Sequence, residues 1–295
     1  MLEQIDLTAV FAMLLIVTAL GISAALWFAR WLLPRNLLQQ NNPIPPWSIG
    51  WVNFVIFICA LVGAVFLAQA LTTPIISDYD TSKQGGPIEL TPWLAVVSII
   101  LLQLPLLLVF FICRHYYPNQ FAGRINSEPY TVFKALLSSV PIFFRYLPII
   151  WVVSLIWNGL LKFFQKFGWI GPTPPQELIQ LFGNGGDPIA IGLLVLFAIL
   201  LAPIVEEVIF RGCIYRFLKS QTLLPSAQVI SGILFALLHG NLMSFGPLLV
   251  VGILLAHVYE SSGNLLVAIS FHALFNSFSL LMLLLINQSS SLISP

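Results

Sequence analysis

Apolar runs of about twenty residues, separated only by short polar connections, limit this 295-residue chain to one kind of fold. A continuous apolar run of that length is a membrane-spanning helix, because in hydrocarbon every backbone N–H and C=O must be satisfied within its own segment. The composition agrees: 59% of residues are hydrophobic and 8% are charged, with 23 Phe and 8 Trp. The class is all-α, a polytopic transmembrane helical bundle of about eight membrane-spanning helices. A net charge of +1 leaves no basic stripe to neutralise phosphates, so nucleic acid is not an expected partner. Cys59, Cys113 and Cys213 lack metal-knuckle spacing and read as packing residues or free thiols. Glu3 and Asp6 stand where an export signal would be positive, so the first apolar run is expected to stay in the mature protein.

The expected spans run in order along the chain. Leu7 to Trp31 and Trp47 to Leu71 come first, followed by a loop Thr72 to Pro92 carrying Asp78, Asp80 and Glu89 against Lys83. Trp93 to Cys113 is the third. Tyr130 to Arg145 reads either as an interfacial amphipathic helix or as the start of a long span, and one crossing is assigned to Tyr146 to Phe164. Gly168 to Pro188 is a Pro/Gly-rich loop that divides residues 1–167, about four helices, from residues 187–285, about four more. Asp187 as N-cap and Pro188 at the first helical position open a fifth helix that runs to Lys219, with room for a kink at Pro203. Leu224 to His239, Pro247 to Tyr259 and Leu265 to Leu285 complete eight crossings. Arg30, Arg35, Arg114, Arg124, Lys134, Arg211 and Arg216 fall at connections that the positive-inside rule places in the cytoplasm, with both termini outside. Lys162 and Lys166 fall on the other side and depart from that rule.

Within the apolar stretch that follows Pro188, Glu206, Glu207 and Arg211 need a reason, since an ionisable residue at bilayer depth costs about 2.5–3.5 kcal/mol on insertion scales. Glu207 and Arg211 are one helical turn apart in the order that favours an ion pair. Glu206 points about 100° away and is left for chemistry. The competing reading has both glutamates marking the helix's emergence into water. His239 ends the sixth run with Phe235 one turn before it, and a lone histidine there is also readable as an interfacial residue. His272 and Asn276 share one helical face, the spacing of paired ligands and equally of an interhelical hydrogen-bond seam. At about 1.5 Å per residue, Glu206 and His239 come to one depth, whereas His272 comes out lower unless the last hairpin sinks into the bundle. His115 and His257 sit near helix ends and are left out of the site.

Three motifs in this order, Glu206-Glu207-x-x-x-Arg211, Phe235-x-x-x-His239 and His272-Ala-x-x-Asn276, resemble those of the CPBP family of intramembrane proteases, which comprises the type II CAAX prenyl endopeptidases and bacteriocin-processing relatives. The resemblance covers about Asp187 to Leu285. It implies an intramembrane endopeptidase in which Glu206 acts with His239 to activate a water, while His272 and Asn276 either join a metal site or stabilise the oxyanion. Glu207 and Arg211 would hold the helix and tune Glu206. Glu206, His239, His272 and Asn276 are then the ligands of a Zn²⁺ cofactor if the enzyme is a metalloprotease, and the cofactor is absent if it is a glutamate protease. The implied partners are the lipid bilayer and a peptide or protein substrate, membrane-associated or lipidated. The implied place is a plasma or inner membrane, with the active site opening toward the cytoplasmic side. A non-proteolytic scaffold or bacteriocin-immunity-type protein retaining the fold is the alternative. A transporter is disfavoured because the polar residues do not string across the membrane.

Overall fold

The protein is described here from a computed structural model that covers residues 7–32, 44–80, 91–121, 125–127, 129–174, 181–182 and 186–291. Its long helices are α1 (Leu7–Leu32), α2 (Trp51–Asp80), α3 (Pro92–Tyr116), α4 (Val132–Lys166), α5 (Pro188–Gln221), α6 (Leu224–Leu238), α7 (Leu242–Ser262) and α8 (Leu265–Ser291). Seven of these, all but α6, are long and apolar enough to cross a membrane, which makes the chain an integral multi-pass helical membrane protein. Helix α6 has 15 residues and reaches only about 22 Å, short of the hydrocarbon thickness, so by itself it does not cross a membrane.

The other departures from the expected spans have local causes. Helix α2 starts at Trp51 and continues to Asp80, so Asp78 and Asp80 belong to its last turns; Lys83 and Glu89 lie outside the described residues. Glu3, Asp6, Arg35 and Arg124 lie outside them as well. The expected interfacial segment and the crossing after it are one 35-residue helix, opened by the Thr131 hydroxyl, which accepts from the Lys134 N–H. Arg145 does not interrupt it. Its carbonyl accepts from the Trp27 indole at 3.0 Å, tying α4 to α1. Helix α7 begins five residues before Pro247 because the Asn241 side chain caps Ser244 N–H, leaving the proline inside the helix.

The core draws on both sides of the 168–187 connection. Phe143 of α4 packs edge-on against Phe271 of α8, and Trp151 of α4 meets Phe278 of α8. At one end of the bundle Lys219 bonds Glu260 and the Ile44 carbonyl, while Arg216 bonds the Pro45 carbonyl, so the segment before α2 is tied to α5 and α7. Exposed Leu, Val, Ile and Phe side chains over α1 to α3 are the lipid-facing surface expected of spanning helices. Cys213 is buried in the core and Cys59 lies on an exposed face.

Helices α6 and α7 approach closely through glycine. A Cβ at Gly252 would sit 2.8 Å from the Gly232 Cα and 3.1 Å from its carbonyl oxygen, so neither backbone can give way cheaply. Gly252→Ala is expected to destabilise by about 1–3 kcal/mol through overpacking, read as a lower midpoint of heat unfolding in detergent.

Candidate active site

Helix α5 is interrupted by two π-helical segments, Phe197–Leu201 and Phe210–Tyr215. The first has a traceable cause. Ala202 N–H bonds the Phe197 carbonyl instead of that of Ala198, and Pro203 has no N–H to offer in its place. The Ala198 carbonyl is therefore released from the helix ladder, and the Asn276 amide of α8 donates to it at 2.8 Å. Asn276→Leu leaves that carbonyl without its donor and is expected to cost about 1–3 kcal/mol, measured by thermal unfolding beside an Asn276→Gln control.

Just past Pro203 the helix carries Glu206 and Glu207. Glu207 and Arg211 are both fully buried, with Arg211 Nη1 2.9 Å from Glu207 Oε1. The other arm of the guanidinium donates to the Gly252 carbonyl at 2.9 Å, and its carbon lies 4.6 Å from the centre of the Phe235 ring. The same Glu207 oxygen lies 2.9 Å from His272 Nδ1. A carboxylate there fixes the proton on Nδ1 and turns Nε2 toward Glu206, whose Oε2 is 3.9 Å away. That gap is too long for a direct hydrogen bond and suits a bridging water. Glu206 keeps 19% of its side chain accessible and its Oε2 makes no hydrogen bond, whereas Glu207 is closed off.

His239 is the C-cap of α6, and its Nδ1 lies 2.7 Å from the Phe235 carbonyl one turn back, which leaves Nε2 as a free lone pair. The Phe235 ring is the shared wall, with centroids 4.7 Å from His239 and 5.7 Å from His272. His272 is higher in the bundle than its distance from Leu265 alone implies. The α7–α8 turn is sunk into the bundle: Leu265 N–H donates to Asn126, and Leu265 packs beside Gly212. Gly212 lies six residues past Glu206 and Leu265 seven before His272, so the two side chains meet. His257 packs against Tyr146 and His115 against Tyr116, away from this cluster.

The carbonyls of Ala198 and Gly252 were not foreseen from side-chain types, since backbone acceptors carry no residue signature. Pro203 and the glycine pair were the signals present in the chain. Among the described residues no group of three or more His, Cys, Asp or Glu side chains converges to hold a metal ion. His272 Nδ1 is committed to Glu207 and the Asn276 N–H to Ala198, so the atoms that these two residues would offer a metal ion are His272 Nε2 and Asn276 Oδ1.

Residues 188–278 match the family model described as Type II CAAX prenyl endopeptidase Rce1-like. The matched segment begins at the proline that opens α5 and ends two residues past Asn276, taking in all six polar residues described above. The Bacillus subtilis (strain 168) protein named "Putative membrane peptidase YdiL" is 30% identical over 93 residues, 32% of this chain and 38% of that protein. The chain thus spans little more than a third of that curated relative's length. No solved structure matches the chain. Helices α1 to α4 lie outside the Rce1-like segment, although α4 packs directly on α8, which carries His272.

Proposed function

We propose that the protein is an intramembrane endopeptidase that hydrolyses a peptide bond with a water held between Glu206 and His272. The observation that carries this reading is the pair of facing atoms, Glu206 Oε2 and His272 Nε2, 3.9 Å apart in a largely buried site. Glu206 takes a proton from the water as its oxygen attacks the peptide carbonyl, and returns that proton to the departing amine. His239, whose ring packs on the same Phe235 ring as that of His272, assists in activating the water through its Nε2. The oxyanion is met by the second N–H of Asn276. Glu207 and Arg211 position His272 and do not touch the substrate. The Rce1-like match over residues 188–278 supports peptide hydrolysis, and a membrane-embedded peptide or protein fits the depth of the site.

Arg114, Lys134, Arg216 and Lys219 lie toward the end of the bundle where α3 and α5 finish and α4 starts, and the positive-inside rule makes that end cytoplasmic. The reading is tested by comparing the membrane proteomes of cells carrying wild-type protein and Glu206→Gln. Fragments that depend on Glu206 are expected. A cellular phenotype that survives Glu206→Gln, with no Glu206-dependent fragment, would favour the non-proteolytic scaffold instead.

A further inference from the structure

Lys162 departs from the charge rule, and its surroundings give the departure a use. It lines a cavity of about 410 Å³ together with Asn158, Gln165, Thr173, Pro174 and Met243. That cavity adjoins the tip that carries His239. The Asn241 amide, two residues past His239, donates to the Pro174 carbonyl at 3.0 Å, and the Trp157 indole donates to the Leu242 carbonyl at 2.9 Å. Lys162 is five residues beyond Trp157, about 7–8 Å further along α4. Among the described residues Lys162 has no ion pair. The neighbouring amides are already engaged: Asn158 bonds the Ser154 carbonyl and Gln165 Nε2 bonds Thr173 Oγ1. That hydroxyl oxygen accepts from Gln165, which leaves the Thr173 O–H available as a second donor.

We infer that this cavity is a substrate subsite for a carboxylate, received by the Lys162 ammonium and the Thr173 hydroxyl. The inference rests on the endopeptidase reading and adds a specificity: the peptide carries an acidic group at a fixed distance from the bond that is cleaved. On the orientation given above, the subsite lies at the end of the bundle opposite the basic residues. A peptide would therefore approach from the outer side, against the cytoplasmic opening expected from the sequence.

The test uses the full chain as Glu206→Gln in phosphatidylcholine nanodiscs and a randomised ten-residue peptide library, one arm with free and one with amidated C-termini. Retained peptides are expected to be enriched in Asp or Glu at a fixed position by about three- to fivefold, the size that an exposed ion pair supplies. Enrichment in both arms identifies an acidic side chain, and enrichment of the free-terminus arm alone identifies a terminal carboxylate. The preference should vanish with Lys162→Met and turn to Lys or Arg with Lys162→Glu. No acidic preference, or one that Lys162→Met leaves intact, overturns the inference. So does a preference lost when the discs contain phosphatidylglycerol, which makes Lys162 a lipid-phosphate anchor. Failure of the endopeptidase reading is registered separately, as absence of Glu206-dependent fragments from wild-type cells.

Discussion

Glu206→Gln is expected to lower the rate of peptide hydrolysis by roughly 10²–10⁴-fold, the range that a positioned general base supplies, while the protein still inserts and unfolds at an unchanged temperature. The substitution keeps shape and hydrogen-bonding capacity and removes only the ability to take a proton. Because Glu206 is partly accessible and its Oε2 has no hydrogen-bond partner, nothing structural is lost with the charge. The measurement is single-turnover cleavage of a Glu206-dependent substrate in nanodiscs, with circular dichroism melts alongside. An unchanged rate, or a loss of rate accompanied by a loss of fold, would sink the assignment. Repeating the wild-type assay after chelation separates a carboxylate-activated water from a metal-activated one.

Arg211→Met should act in the opposite way, through stability. It leaves Glu207, which is fully buried, without the guanidinium 2.9 Å away, and breaking one partner of a buried pair costs about 3–5 kcal/mol. It also removes the donor to Gly252 and the cation stacked on Phe235. Arg211→Lys should recover only part of this, because an ammonium cannot reach Glu207 and Gly252 with two parallel arms. The double change Glu207→Leu/Arg211→Met should recover more stability than either single change, since no charge is then stranded. It should still be inactive, because His272 Nδ1 has lost its acceptor. Heat unfolding in detergent of Glu207→Leu, Arg211→Met and the double variant, combined as a double-mutant cycle with Arg211→Lys alongside, reads these outcomes. A double variant that hydrolyses substrate at the wild-type rate would show that Glu207 does not position His272.

Several features were legible in the residues alone. The N-cap of α5 at Asp187 is present as expected, its carboxylate accepting from the N–H groups of Ile189 and Ala190. Hydrogen bonds from those two amides outweigh other influences and hold the Asp187 carboxyl below the usual aspartate range. The helix-spaced pair Glu207 and Arg211 could be read from a one-turn separation, because i and i+4 on a helix must be neighbours. The division between a closed-off Glu207 and an accessible Glu206 follows from the same periodicity. His272 could not be placed by counting along α8, because its depth depends on where the α7–α8 turn sits, and Asn126 from a distant loop holds that turn.

From sequence alone come the all-helical membrane class, the run of spans and the identity of the polar side chains, for these depend on local periodicity and on the cost of exposing backbone to lipid. Only the tertiary structure decides how those side chains face one another. It places His272 between two carboxylates, sets Arg211 across Phe235 onto the Gly252 carbonyl, and turns Asn276 to the carbonyl that the π segment before Pro203 releases. The physical reason is that each of these contacts joins different helices and depends on their relative depth and close approach, which no periodicity within a single helix encodes.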